Sequence, residues 1–219
     1  MTVGVIVPAA GAGTRLGADR PKALAEVAGQ PLLLHAVRRI RGCAAISAVV
    51  VAAPAASVGQ VRELLAELDT IVVAGGATRQ DSVAAALRAL PADVDLVLVH
   101  DAARAFVPVT VVDAVVRALQ DGADAVLPVL PVADTVKRVD GDRLTTVPRD
   151  DLRLAQTPQG FRRSVLEAAH ARGGAALSDD TALVEALGVT VRTVPGSAEA
   201  FKVTTPFDLL VAEALVSRG

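Results

Sequence analysis

Two cations, Arg15 and Lys22, follow a strand-like run that ends in Pro8-Ala9-Ala10-Gly11-Ala12-Gly13, a spacing that suits a phosphate chain. A turn without bulky side chains lets backbone N–H groups come close to an anion, and the two cations give that ligand its sign. An ordinary tight turn would explain Gly11 and Gly13 equally well, because a lone Gly-x-Gly is a weak signal. It would not explain the paired charges. Neither standard phosphate loop is present. No Gly-Lys-Ser/Thr follows, and Gly17 falls one residue late for the third glycine of the dinucleotide fingerprint.

Three other stretches carry groups suited to the same ligand. In Gly75-Gly76-Ala77-Thr78-Arg79-Gln80-Asp81-Ser82 the glycines let the main chain approach a base or sugar, and Ser82 lies at or near a helix start. A glycine turn with a serine cap is the plainer account of that segment. His100-Asp101-Ala102-Ala103-Arg104 directly follows the apolar run Leu96–Val99. A carboxylate at a strand end beside a triphosphate can bind Mg²⁺, or another divalent ion such as Mn²⁺, because hard cations take carboxylate and phosphate oxygens together. Asp101 could instead cap the next helix. His100 suits a local hydrogen bond, and the three histidines show no paired spacing for zinc. Near the C-terminal end, Thr204 or Thr205 with Asp208 reads as a helix cap followed by Pro206 and a first-turn acid. Capping leaves Lys202 unexplained and makes it a candidate anion contact.

These groups need elements that bring them together. Strand-like runs at Val3–Val7, Ala48–Ala53, Ile71–Ala74, Leu96–Val99 and Ala125–Val129 alternate with helical spacing at Leu32–Arg41, Val58–Leu68, Ser82–Leu90 and Val109–Leu119. Such alternation predicts an α/β fold with a doubly wound, mostly parallel, Rossmann-like sheet, whose ligands collect at the carboxyl ends of its strands. The pattern changes after Pro131. Thr135–Val139, a turn at Asp140-Gly141-Asp142, and Leu144–Val147 read as a β-hairpin arm inserted at about residues 132–154. Lys137, Arg138, Arg143, Arg149 and Arg153 leave it little apolar surface for self-burial, so a second subunit is its simplest partner and a homodimer is expected. Helices are predicted at Arg163–Ala171, at Asp179–Leu187 with Ser178 as N-cap, and at Pro206–Ser217, with a strand at Val189–Val194. The 219 residues read as one domain carrying this arm.

Composition narrows the function. Apolar residues make up 52% of the chain without Trp or Tyr, so Ala, Val and Leu must build the core. A net charge of -2 with interspersed signs gives no support to nucleic-acid binding. Cys43 alone cannot form an intrachain disulfide and reads as a small core residue. The first strand is too short and strand-like for a signal segment, and no run approaches a membrane span, so a cytoplasmic protein without a membrane partner is expected.

Taken together, the motifs resemble those of the 2-C-methyl-D-erythritol 4-phosphate cytidylyltransferases. The shared pieces are Pro8-Ala9-Ala10-Gly11-x-Gly13-x-Arg15, Pro21-Lys22, Gly75-Gly76 with Asp81-Ser82, His100-Asp101-Ala102-Ala103-Arg104, Asp134-Thr135-x-Lys137, Gln156-Thr157-Pro158-Gln159 and Lys202-Val203-Thr204. Each is weak alone, but their order and separations span nearly the whole chain. This chain departs from many relatives in having Ala77 for Asp, Ala105 for Pro and Ser178 for Thr. Ala77 can still offer its backbone, and Ser178 keeps a hydroxyl.

The resemblance implies attack by a phosphate oxygen of methylerythritol phosphate on the α-phosphorus of CTP, with pyrophosphate leaving. It implies that Arg15 and Lys22 hold the triphosphate and stabilise the transition state, that Mg²⁺ bridges its oxygens, and that Asp101 lies near the metal and both substrates. It implies a CTP slot from Pro8, Ala9, Ala10, Gly11, Gly13, Gly76, Ala77 and Ala102, with Ser82 on the cytosine. Arg149, reaching a neighbouring subunit's site from the interlocking arm, and Lys202 match positions that orient the sugar phosphate. Arg104, Thr135, Thr157 and Ser178 match positions that contact or frame it. Ending at Gly219, the chain has no room for the cyclodiphosphate synthase fused to some relatives, so a monofunctional enzyme is expected.

Three rivals share parts of this pattern. A ribitol- or glycerol-phosphate cytidylyltransferase shares the opening loop, but Arg149, Thr157 and Lys202 favour methylerythritol phosphate. A UTP- or GTP-dependent sugar-nucleotide enzyme should have a longer loop and a different base segment. A non-catalytic nucleotide sensor has no reason to keep both Lys22 and Lys202.

Overall fold

A computed structural model describes residues 1–11, 21–172 and 179–217. Along the chain it runs β1 (Thr2–Pro8), β2 (Glu26–Val27), β3 (Gln30–Pro31), α1 (Leu32–Arg41), β4 (Ile46–Ala53), α2 (Val58–Leu64), β5 (Ile71–Ala74), α3 (Arg79–Ala89), β6 (Val94–Val99), α4 (Val109–Gln120) and β7 (Ala125–Pro131). The hairpin β8 (Val136–Asp140) and β9 (Arg143–Val147) follows, then β10 (Arg153–Ala155), β11 (Gln159–Arg162), α5 (Arg163–Arg172), α6 (Asp180–Glu185), β12 (Val191–Pro195) and α7 (Pro206–Val216).

The main sheet has the order β10-β7-β11-β6-β1-β4-β5, with β12 added beside β7. Alternate residues of its central strands enter two different cores. Val5, Val7, Val49, Val51, Leu96 and Leu98 face α1 and α4 through Leu33, Val37, Ile40, Val112 and Val115. Ile6, Val50, Ala52, Val97 and Val99 face α3 and α5 through Val83, Ala86, Leu87, Leu166 and Ala169. A strand buried on both faces must read as a continuous apolar run, and β1, β4 and β6 do. Each such side chain contributes roughly 1.5–3 kcal/mol of burial, so the carboxyl ends of these strands stand on a core packed on both faces.

The expected doubly wound sheet is present, with helices on both faces. Its pairing is mixed. The pairs β1–β4, β1–β6, β4–β5 and β7–β12 are parallel, whereas β11 pairs antiparallel with both β6 and β7, and β10 pairs antiparallel with β7. The sequence pattern does not show β10, which is only three residues long, or β11, where Pro158 and Gly160 interrupt any alternation. Gly160 is there for packing: a Cβ would lie 2.5 Å from Val115 Cγ1 and 2.9 Å from Leu119 Cδ1 of α4.

Other differences are local. The predicted helix 58–68 divides into α2 and a 3-10 turn at Ala66–Leu68, which ends on Asp69 at φ +45°. The cap of α3 is Thr78, not Ser82: Thr78 and Asp81 form a reciprocal capping box. Asp179 caps α6, while Ser178 lies outside the described residues. Thr205 and Asp208 form the predicted box at α7, with Pro206 in its first turn. Cys43 is a buried core residue, and burial, then the Asp113 side chain, pushes its thiol up to about 11. Among the described residues, no helix is long and apolar enough to cross a membrane.

The hairpin β8–β9 forms a separate two-stranded sheet turned at Gly141, with φ +56°. Val139 and Leu144 face each other in its register and are 70% and 66% exposed, so its apolar tip finds no cover within the described chain.

Candidate active site

A cleft of about 290 Å³ opens at the carboxyl ends of β1 and β6. One wall is Pro8, Ala9, Ala10 and Gly11 with Lys22, continuing directly from β1. The second is the turn before α3, with Gly76, Ala77, Thr78, Arg79 and Ser82; the floor is Asp101, Ala102 and Ala103, and Lys202 and Thr204 close the far side. The four stretches read from the sequence therefore meet in one place. Gly13 and Arg15 lie outside the described residues.

The glycine turn is built for close approach. A Cβ on Gly75 would stand 2.7 Å from Ala10 Cβ and 2.8 Å from Ser82 Oγ, and one on Gly76 would stand 2.2 Å from Asp81 Cβ. Ser82 is 1% exposed, and its hydroxyl donates to Thr78 C=O at 2.9 Å and accepts from Gly76 N–H at 3.1 Å. Ser82 thus fixes the turn itself. Glycine and alanine backbone thus lines the part of the cleft between Ala10 and Gly76, with Lys22 and Arg79 at its margins.

Asp101 is the electrostatic centre. Its Oδ1 accepts from Arg79 Nε at 3.1 Å and its Oδ2 from Lys202 Nζ at 2.7 Å. Burial alone would favour the neutral acid, but Arg79 and Lys202 together hold the carboxyl well below the usual carboxylate range. Arg79 also donates from Nη1 to Asp180 Oδ2 at 2.6 Å, and Asp180 is bonded on its other oxygen to His170 Nε2 at 3.2 Å. Burial works against the charged guanidinium, yet Asp180 and Asp101 outweigh it and raise the Arg79 pKa. Sequence reading passed over Arg79 because its significance rests on Asp180, which is remote in the chain. The signal available was an arginine in the first turn of a helix whose dipole gives it no reason to be there.

The remaining expected residues fall in two groups. Arg104 and Thr157 adjoin Asp101 without lining the cleft. Arg104 donates to Ala200 C=O at 2.7 Å and Ala155 C=O at 2.9 Å, and its Nε has no hydrogen-bond partner among the described residues. The Thr157 hydroxyl accepts from Asp101 N–H at 3.1 Å and meets His100 Nδ1 at 3.1 Å. His100 Nε2 donates to Arg104 C=O at 3.2 Å, and burial above all lowers its pKa to about 4, so the ring is neutral. His100 bonds locally, as expected. Thr135 and Arg149, by contrast, stand exposed on the arm and line no part of this cleft; Arg149 donates to Ala133 C=O. Ser178 lies outside the described residues.

Among the described residues no group of three or more His, Cys, Asp or Glu side chains could cage a metal ion. Asp101 is the one carboxylate among the described lining residues. Each of its oxygens keeps a lone pair beyond the bonds to Arg79 and Lys202, which fits Mg²⁺, an ion that binds through one or two carboxylates plus substrate phosphates and water.

A glycine-lined slot at the end of β1, cations around a largely enclosed carboxylate and this mixed sheet define a nucleotidyltransferase of Rossmann-like fold. The sequence model of the IspD family, described as 2-C-methyl-D-erythritol 4-phosphate cytidylyltransferase, matches residues 3–218. Relatives of that name from Frankia casuarinae and Saccharopolyspora erythraea are 56% and 54% identical, each over 99% of this chain and over 82% and 100% of their own lengths. The crystal structure of the Thermus thermophilus cytidylyltransferase of that name superposes with a TM-score of 0.85 at 43% identity, covering 99% of this chain and all of its own. The chain belongs to the 2-C-methyl-D-erythritol 4-phosphate cytidylyltransferase family.

Proposed function

We propose that this protein transfers the cytidylyl group of CTP to 2-C-methyl-D-erythritol 4-phosphate, giving 4-diphosphocytidyl-2-C-methyl-D-erythritol and pyrophosphate in non-mevalonate isoprenoid precursor synthesis. The observation that carries this reading is the meeting of Lys22, Arg79 and Lys202 with Asp101 beside a slot of glycine and alanine backbone, in a chain of that family.

A phosphate oxygen of the acceptor forms a new bond to the α-phosphorus as the bond to the pyrophosphate oxygen breaks. A phosphate monoester is already nucleophilic near neutral pH, so no covalent enzyme intermediate is needed. The obstacle is the approach of one anion to another, and fixed cations remove it without reorganising during the reaction. Lys22, with Arg15, takes the triphosphate and meets the charge that builds on the leaving pyrophosphate. Lys202 turns from Asp101 toward the acceptor phosphate. Backbone groups around Ala9, Ala10, Gly76 and Ala77 bind the base, and a glycine-lined slot shaped to a pyrimidine excludes a purine. Asp101 is the residue that would hold Mg²⁺ delivered with the triphosphate. Bound there, the ion neutralises phosphate charge and raises the electrophilicity of the α-phosphorus.

The reading includes a homodimer in which Arg149 crosses to the neighbouring subunit's cleft and Thr135 helps frame the acceptor. The exposed apolar tip of the hairpin, and the absence of Arg149 from the described lining of its own cleft, support it. The reaction is assigned to the cytoplasm, in keeping with two charged substrates that do not cross membranes. Pyrophosphate release from CTP with methylerythritol phosphate, ribitol phosphate or glycerol phosphate tests the assignment. Preference for methylerythritol phosphate is expected, and equal or faster turnover of ribitol phosphate would overturn it.

A further inference from the structure

The stretch Gln156-Thr157-Pro158-Gln159 lines no part of the cleft, and its three polar residues are 3%, 4% and 1% exposed. Each clamps a different loop. Gln156 Nε2 donates to Ser197 C=O at 2.8 Å and Gln156 Oε1 accepts from Ser197 N–H at 3.0 Å, fixing the turn that leads into Lys202. The fit there is close, since a Cβ on Gly196 would lie 2.2 Å from Gln156 Oε1. Thr157 holds the backbone of Asp101. Gln159 Oε1 accepts from Asp180 N–H at 3.2 Å and Thr181 N–H at 3.3 Å, while its Nε2 donates to Asp179 Oδ2 at 3.1 Å. Asp180 is in turn the second carboxylate on Arg79.

We infer that Gln156, Thr157 and Gln159 are positioning residues that act together as one brace, fixing Lys202, Asp101 and, through Asp180, Arg79 relative to one another. An ion-paired cluster at the mouth of a cleft works only if its members keep a common geometry, and three separate loops supply these members. One rigid strand entry that bonds all three removes their independent motion. The bond directions agree: His100 Nε2–H donates to Arg104 C=O, so Nδ1 accepts from Thr157 O–H, leaving a Thr157 lone pair for Asp101 N–H.

The inference rests on the transfer reaction proposed above. Thr157→Val removes the hydroxyl at nearly constant volume, and Thr157→Ser restores it. Thr157→Val is expected to lower kcat about 10- to 100-fold with the KM for CTP changed less than about threefold, and Thr157→Ser to recover kcat within about threefold. Equal kcat in all three proteins, or equal losses in both variants, would overturn the brace. A nitrogen-15 spectrum of wild-type His100 judges it without turnover or a folded variant: a proton on Nε2 is expected, and one on Nδ1 overturns it. Absence of wild-type turnover on methylerythritol phosphate would overturn the reaction instead.

Discussion

Lys202 Nζ lies 2.7 Å from Asp101 Oδ2, so the cation that is to meet the acceptor phosphate already faces a carboxylate. The lysine is 42% exposed and Asp101 12%, which leaves Lys202 able to turn outward while Asp101 stays with Arg79. Substituting Lys202→Ala should lower kcat/KM about 100- to 1000-fold, with Lys22→Ala and Arg15→Ala similarly severe in kcat. Steady-state kinetics check this, and losses of only a few fold would remove these cations from the transition state.

Arg79 also has a structural duty. The Asp180 side chain is 1% exposed and has Arg79 at 2.6 Å. Arg79→Ala leaves that buried charge without its main partner, and breaking a buried pair in this way costs about 3–5 kcal/mol. Urea denaturation should show that loss, whereas Lys202→Ala should leave the midpoint nearly unchanged.

Most of the cleft was legible in the sequence because its ligand-facing groups follow strands directly, and β1, β4 and β6 announce themselves as apolar runs. Gly11, Gly76 and Asp101 are legible that way, and Lys202 because the cap of α7 leaves it without a local role. What escaped was whatever depends on long-range pairing. Arg79 looks like an ordinary helical residue until Asp180 is beside it, and Gln156 and Gln159 look like loop residues until their amides are seen spent on buried backbone. The antiparallel strand β11 escaped for the related reason that its partners, not its own composition, make it a strand. Thr157, expected to contact or frame the acceptor, is absent from the described cleft lining, and its hydroxyl bonds Asp101 N–H and His100 Nδ1.

Acid should weaken the fold through His100. Its folded pKa of about 4 lies below the ordinary value of 6.5, so the unfolded chain takes up the proton first. The contribution is whole above pH 6.5 and drains away as pH falls toward 4, amounting to about 3 kcal/mol at most. Asp101, held well below the carboxylate range, keeps its contribution through that window and loses it only at lower pH. Urea midpoints at pH 7, 5.5 and 4.5 should therefore fall more steeply for wild type than for His100→Gln; parallel curves would contradict the assignment.

Gly76→Ala forces a Cβ to 2.2 Å from Asp81 Cβ, inside the capping box of α3. Either the turn or the helix start must move, at a cost of roughly 1–3 kcal/mol. The KM for CTP should rise at least about tenfold. Calorimetric titration with CTP would show it directly, and unchanged affinity would mean the turn does not border the nucleotide.

The arm makes a prediction of its own. Replacing Val139 and Leu144 together by Asp should shift the sedimenting species from dimer to monomer at micromolar concentration, and Arg149→Ala should mainly raise the KM for the sugar phosphate. A monomeric wild-type protein would end the cross-subunit reading.

The place of β11 between β6 and β7 also governs when the molecule can become whole. As the chain leaves the ribosome, β1, β4, β5 and β6 can pair among themselves, and the nucleotide wall is complete once α3 has formed. The free edge of β6 must then wait, its Val99 without the partner that Gln159 provides in register. The brace side chains arrive with that late strand and Lys202 only after it, so a nascent chain stopped before β11 would carry the nucleotide half of the cleft and a bare sheet edge for chaperones to cover.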